Sequence, residues 1–261
     1  MRRWLLGRLD PVLQSDGMQR VVRAGLRLWS SGVSRLSPEE GLRRLFVVVD
    51  DLQLRIDGLA IALDDGVHAK HRLIGYHEFF VGRVRAGDRV LDVGCGKGEL
   101  AFDLATRANA FVTGVDWSRA SIDFARAHYC DERLEFIDAD ALRWNPPHEY
   151  DVVVLSNVLE HIAQREELLR RLITTSSAGR FLIRVPSEER DWTVPLRREL
   201  GISHFSDPTH ETEYTVDQLR CELDEAGLRM DELVQRWGEL WASASTIAPT
   251  EDEAILTRSA R

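Results

Sequence analysis

The sequence predicts an α/β fold: a mostly parallel sheet of seven strands with helices on both faces, preceded by a helical extension. Three observations predict it. From Arg89 onward, short β-branched runs alternate with helical stretches, the pattern of a parallel sheet wound with crossovers. The first of these runs breaks into a turn that holds Gly94, Gly96 and Gly98 within five residues. The 261 residues, 44% hydrophobic and 30% charged, suffice for one large domain with an appendage.

Taken in order, residues 21–29 place Val22, Leu26 and Trp29 on one helical face and Arg20, Arg23 and Arg27 on another, which makes a basic amphipathic helix. Such a helix packs on its own domain, holds a partner, or rests on an anionic membrane surface. A second helix starts at "SPEE", with Ser37 as N-cap, Pro38 in the first turn and Glu40 closing a capping box. Along it, Leu42, Leu45, Val49, Leu52, Ile56, Leu59 and Leu63 keep a 3-4 alternation, a seam that pairs helices between chains or packs within one. Gly66 should end that helix, giving an extension over 1–66, a main domain over 67–245 and a C-terminal tail over 246–261. Residues 37–65 are thus the surface on which a homodimer would form.

Within the main domain, strands are expected at Arg89–Val93, Phe111–Asp116, Leu134–Asp138, Asp151–Ser156 and Arg180–Val185, with helices between them. Thr215 caps "VDQLRCELDEAG", which stops at Gly227, and two closing strands follow at Asp231–Trp237 and Glu239–Ser245 around Gly238.

Composition excludes several classes. A formal charge of −9 provides no concentrated positive field for phosphate, so no nucleic-acid partner is expected. Only the stretch from Met1 to Leu36 is basic, with seven arginines against Asp10 and Asp16. Cys95, Cys130 and Cys221 are far apart and unpaired in spacing, which suits a reducing cytoplasm. "WLLGRLDPVL" is interrupted by Arg8, Asp10 and Pro11 before a secretory signal accumulates, and no apolar run reaches the roughly 18 residues of a membrane span.

A strand that turns at once into a helix while a ligand touches its backbone needs residues without side chains at the contact, and the three glycines supply that. Their N–H groups, with the following helix N-terminus, are expected to favour an anionic group. Asp116 ends the next strand, 116 − 94 = 22 residues on, near the spacing of about 20 at which an acid grips ribose hydroxyls. Asp140, after the third strand in "IDADAL", is placed to accept from an adenine amine. One bare turn and two acids describe an adenosine pocket.

The glycines follow G-x-G-x-G rather than the dinucleotide G-x-G-x-x-G, with Asp92 two residues before the first. Through "VLDVGCGKG", "VTGVDWS", "LEFIDADAL" and "YDVVVLSNVLEHI", the stretch Asp88–Ser245 resembles the class I S-adenosylmethionine-dependent methyltransferases. The resemblance implies a Rossmann-like sheet and S-adenosyl-L-methionine as cofactor. It implies that Gly94, Gly96 and Gly98, with Asp92 and Cys95, border the amino-acid part of the cofactor. Asp116 and Trp117 would hold the ribose and its surroundings, Asp140 and Ala141 the adenine, and Asn157 the methionine portion.

Methyl transfer from a sulfonium depends mainly on alignment, but an alcohol or phenol acceptor gains from a base, for which His161 in "NVLEHI" is placed on the ligand-binding rim. Some relatives bind a divalent metal there through E-x-x-E-H. Here Asn157 occupies the first position, so no metal is expected. The loop "SHFSDPTHETEY" offers His210 as a second base, with Glu213, Tyr214 and Arg184 lining an acceptor site and Tyr76 and His77 in a lid that excludes water. "SDPTHETEYT" and "VHAKHRLIGYHEFF" also resemble stretches of methyltransferases from bacterial surface-glycan gene clusters. The expected activity is O-methylation of a sugar or glycan intermediate in the cytoplasm. The alternatives are a quinone, lipid or secondary-metabolite acceptor, with the basic helix making peripheral membrane contact, an NAD-dependent oxidoreductase, and a non-catalytic nucleotide-binding subunit.

Overall fold

The computed structural model describes residues 15–64 and 69–247. The expected stop at Gly66 and all but the start of the tail at 246–261 lie outside the described residues. The chain divides into two compact units, one comprising the residues up to Lys70 with Glu199–Ile202, the other His71–Arg198 with Ser203 onward.

In the first unit, helix α1 (Asp16–Val33) starts at Ser15, whose Oγ accepts from the Met18 N–H at 3.2 Å. Its apolar residues Val22, Leu26 and Trp29 are exposed, and only Val33 is buried. Helix α2 (Pro38–Leu63) is capped by Ser37 as expected, but the box is not closed. The Glu40 carboxylate accepts instead from Arg44 Nε at 2.7 Å, because an i,i+4 ion pair competes for it. The two helices meet at Gly41, where a Cβ would stand 3.4 Å from the Val33 carbonyl. Beyond that crossing the apolar residues of α2 from Leu45 to Leu63 are largely solvent-facing.

The second unit opens with two short helices, α3 (Lys70–Ile74, its first residue still in the first unit) and α4 (Tyr76–Val81), separated by Gly75 at φ 63°. Strands β1 (Arg89–Val93), β2 (Phe111–Asp116) and β3 (Leu134–Asp138) coincide with the expected runs at both ends. They alternate with α5 (Glu99–Arg107) and α6 (Arg119–His128). β4 (Val152–Ser156), α7 (Arg165–Ser176) and β5 (Arg180–Pro186) follow, then α8 (Thr193–Glu199), α9 (Val216–Ala226), β6 (Leu228–Arg236) and β7 (Glu239–Thr246). α9 carries a closed capping box between Thr215 and Gln218 and ends on Gly227 at φ 93°.

The seven strands run in the order β3-β2-β1-β4-β5-β7-β6. All neighbours are parallel except β7, which is antiparallel to both β5 and β6. Successive residues of β1 and β4 face opposite sides. Leu91, Val93, Val153 and Leu155 pack under α7 and α9, while Val90, Val152 and Val154 pack under α4, α5 and α6. Burial on both faces is why these strands read as continuous aliphatic runs. Chain order reverses between β1 and β4, which opens a crevice beyond their carboxyl ends.

Candidate active site

At that crevice the chain leaves β1 through Gly94 (φ 69°), Gly96 (φ 55°) and Gly98 (φ 89°), all left-handed. Two of these glycines are required by packing. A Cβ on Gly94 would lie 2.5 Å from Val158 Cγ2, and one on Gly98 would lie 2.6 Å from the Phe136 ring. Gly96 alone faces open space, with nothing within 4 Å of an added Cβ.

Four N–H groups of the turn bond within the chain. Gly94 and Cys95 donate to the Val115 carbonyl at 2.7 and 3.1 Å, Gly98 to that of Cys95 at 3.0 Å, and Gly96 to Asp116 Oδ2 at 2.9 Å. What rims the slot is acid. Asp92 is 1% exposed, and its Oδ2 is buried without a partner. Burial first, then Asp116 and Glu99, push its pKa up to about 8. A rim of three carboxylates suits a cationic ligand rather than a phosphate. Asp116 is held by the Ser118 N–H on its other oxygen, at 2.8 Å, and its side chain is fixed before any ligand arrives. Trp117 beside it is largely solvent-facing. Asp140 caps the turn after β3 by accepting from the Leu142 N–H at 2.9 Å, and Ala141 packs on the core. Cys95 is buried, which pushes its thiol pKa up.

Past β4, Asn157 stands at φ 57° and donates from Nδ2 to Glu160 Oε1 at 2.6 Å. Its Oδ1 and Glu160 Oε2 are both buried without partners. Burial raises the Glu160 pKa to about 7. A 3₁₀ turn, Leu159–His161, carries the next two side chains, and the Glu160 carbonyl accepts from the Glu211 N–H at 2.7 Å. That bond ties the loop after β5 to the rim and brings His210 to His161, ring centroids 4.8 Å apart. Both expected bases therefore meet.

The tautomer of His161 follows from its partners. Thr209 commits its hydroxyl proton to Asp207 Oδ1 at 2.6 Å, so toward His161 Nδ1, 3.1 Å away, it can only accept. His161 therefore carries its proton on Nδ1 and a lone pair on Nε2. Partial burial, then His210, hold its pKa below the ordinary histidine value. His210 likewise directs Nδ1 at Glu213 Oε1, 3.0 Å away. Ligand atoms of Glu160, His161 and His210 all lie within 4.8 Å of one another, close enough to share a divalent cation.

Three residues expected to line the acceptor site have other roles. Tyr214 is 1% exposed in the core, where its hydroxyl donates to Glu222 Oε1 at 2.9 Å. Glu213 accepts from Arg190, Ser206 and His210. Burial alone would raise its pKa, but those hydrogen bonds lower it overall. Arg184 forks onto Glu239 at 2.7 and 2.5 Å, with Trp241 Nε1 donating to the same carboxylate at 2.9 Å. Pairing of charges explains two of the departures, since the buried Arg184 and Glu213 each take an opposite charge distant in sequence, while the buried Tyr214 hydroxyl takes the nearby Glu222 carboxylate as its hydrogen-bond partner. Tyr76 is buried with its ring 3.8 Å below the Arg184 guanidinium carbon, and His77 Nδ1 pairs with Asp103 Oδ2 at 2.8 Å, so both belong to the packed layer beside the slot. Sequence reasoning missed Glu160 as a buried acid and the Asp207–Thr209 relay. The D-x-T spacing of an Asx turn, seen here as Thr209 N–H to Asp207 Oδ1 at 2.8 Å, was the available signal for the relay.

Residues 90–178 match the family described as "Methyltransferase domain". Over 89 residues the chain is 39% identical to the ubiquinone biosynthesis O-methyltransferase of Neisseria meningitidis serogroup C, covering 32% of this chain and 37% of that protein. Over 93 residues it is 39% identical to the 27-O-demethylrifamycin SV methyltransferase of Amycolatopsis mediterranei, covering 34% of each. The match thus spans little more than a third of these relatives. Among solved structures, magnesium protoporphyrin IX methyltransferase from Synechocystis PCC 6803 with bound SAH superposes at TM-score 0.52 and 18% identity, over 68% of this chain and 83% of that one, which shows the fold.

The residues fit S-adenosylmethionine. The unpartnered Asp92 oxygen offers a buried acceptor for a cation, Gly96 leaves backbone uncovered, and Asp116 is fixed at the end of β2. Sheet order, bare turn, acid rim and family match agree: residues 90–178 are a methyltransferase domain, set in a Rossmann-like seven-stranded sheet shared with S-adenosylmethionine-dependent methyltransferases.

Proposed function

We propose that this chain transfers a methyl group to a hydroxyl oxygen of a quinone-type or related ring-bearing acceptor. The glycan acceptor expected from the sequence finds no support among the relatives, whereas both relatives described above are methyltransferases with non-sugar names, and one is a ubiquinone-pathway O-methyltransferase. The basic face and exposed apolar face of α1 also suit an acceptor dissolved in a membrane.

One observation carries the O-methylation reading: a histidine at the rim with its Nδ1 proton fixed by Thr209 and Asp207, and an available lone pair on Nε2. S-adenosylmethionine, when bound, supplies a methyl group on a sulfonium that needs no further activation. His161 Nε2 would take the acceptor's hydroxyl proton as that oxygen is methylated. Asp92 would accept from the cationic end of the donor, giving up its own proton as the donor binds, and the uncovered backbone at Gly96 would let the donor approach.

The test has two parts. Calorimetric titration should give S-adenosylhomocysteine binding and no NAD binding; the reverse overturns the reading. With a catechol acceptor, kcat/KM should fall on the acid side below the ordinary histidine value of about 6.5, and His161→Ala should lose turnover by about 10²-fold or more at unchanged cofactor affinity. Full activity of that variant rules His161 out as the base. A second reading rests on the convergence of Glu160, His161 and His210, which would let a divalent cation orient a diol acceptor. Under it, dialysis against a chelator abolishes turnover and added divalent ion restores it; a rate indifferent to the chelator removes this reading.

A further inference from the structure

We infer that α2 is a dimerisation helix, pairing in parallel and in register with α2 of a second copy of this chain. The helix has 26 residues, about 39 Å at 1.5 Å per residue, yet of its side chains only Gly41 at its start is buried. The seam residues Leu45, Val49, Leu52, Ile56, Leu59 and Leu63 are each between 36% and 74% exposed. A helix left with so much apolar surface in water has a missing partner.

The seam itself identifies that partner. With Leu45, Leu52 and Leu59 at d and Val49 and Ile56 at the central a positions, it has the arrangement that selects two parallel strands. Charge placement agrees. Flanking e positions hold Phe46, Gln53 and Ala60, and flanking g positions hold Val48, Arg55 and Ala62. In a parallel pair, g of one helix faces e of the next heptad on the other, so Arg55 meets Ala60 and Val48 meets Gln53, and no like charges are opposed. From Leu42 onward the remaining charges, Arg43, Arg44, Asp50, Asp51 and Asp57, all fall at b and c, away from the seam. Those three aspartates also make this helix unsuited to an anionic bilayer. Val47, Leu54 and Ile61 form a separate f stripe bracketed by the charged positions, so it is not the seam.

The experiment uses the full chain. Light scattering should give twice the monomer mass of 29.7 kDa, and Val49→Asp with Ile56→Asp should halve it while S-adenosylhomocysteine affinity and the far-ultraviolet spectrum of the sheet domain stay as in the wild type. A monomeric wild type, or a double variant that stays dimeric, overturns the inference. Orientation is read separately, with Cys130→Ser and Cys221→Ser removing the two exposed thiols. On that background, Leu45→Cys, near the start of the helix, should cross-link two chains on mild oxidation and Val47→Cys should not. A dimer in which the f-position thiol cross-links and the d-position thiol does not overturns the seam and register. Because these readouts need no methyl acceptor, their failure leaves the proposed activity standing.

Discussion

At the scale of single residues, the three glycines of the turn divide into two kinds, and substitution should separate them. Gly94→Ala and Gly98→Ala push a methyl into Val158 and Phe136 and should cost about 2 to 4 kcal/mol of stability, read in urea denaturation. Gly96→Ala meets nothing and should cost only about 1 kcal/mol, for the left-handed backbone, while weakening S-adenosylhomocysteine binding more than either neighbour does per unit of lost stability. Asp92 has a pH signature. Its native pKa of about 8 lies above the ordinary carboxylate value of about 3.9, so the folded state holds a proton that the unfolded state has lost between those limits. Unfolding then releases protons, and stability from this group declines as pH rises from about 4 to about 8. Glu160, raised to about 7, acts with the same sign, whereas Glu213 and Asp103, lowered, matter only below the ordinary carboxylate range. Asp92→Asn should therefore flatten the decline in urea midpoint between pH 5 and pH 8 without abolishing it. A slope equal to that of the wild type would show Asp92 ionised in the native state.

At the scale of elements, the loop between β5 and α9 is held by one carboxylate. Glu213 collects Arg190, the Ser206 N–H and hydroxyl, and His210, while Glu211 N–H anchors the loop to the Glu160 carbonyl. Glu213→Gln keeps the volume and loses the charge. Hydrogen exchange over residues 203–212 should quicken, and kcat/KM should drop about ten-fold or more, the effect of losing about 1.4 kcal/mol of alignment, with cofactor affinity unchanged. Unaltered exchange would mean that Glu211 alone holds the loop. Legibility varied between elements for physical reasons. β1 and β2 were readable to the residue because they are buried along nearly their whole length and each leads straight into a turn, at Gly94 and after Asp116, while the partly buried edge strand β3 was readable from Leu134, Phe136 and Ile137 ahead of the turn at Asp140. β6 begins at Leu228 rather than at the expected Asp231, because a half-exposed strand at the sheet edge lacks clean alternation and carries a register shift between Met230 and Glu232. The short helices around Gly75 escaped notice, since five or six residues show no period. The turn and its acids were visible because backbone geometry restricts them to few residue types. The pairs Arg184–Glu239 and Arg190–Glu213 were not, because 55 and 23 residues of chain separate charges that any other arginine or glutamate could have satisfied.

At the scale of the whole molecule, cofactor binding and folding are linked, because the slot is assembled from the ends of β1, β2 and β4 and exists only in the native sheet. S-adenosylhomocysteine at about a hundred times its Kd should add about 2.7 kcal/mol, which for a domain of this size raises Tm by about 5 to 10 °C. The same concentration of NAD should leave the melting curve in place; a shift with NAD alone would contradict the cofactor assignment. The described residues contain no helix long and apolar enough to cross a membrane.

The placement of β7 has a consequence for synthesis. It is the last strand among the described residues, but it lies between β5 and β6 rather than at the rim. Until Glu239–Thr246 have left the ribosome, the seven residues Arg180–Pro186 present an unpaired edge of backbone amides in which Phe181, Leu182, Ile183 and Val185 lie between two arginines and a proline. A nascent chain stalled before that point carries an exposed strand edge, the kind of surface through which incompletely made chains associate.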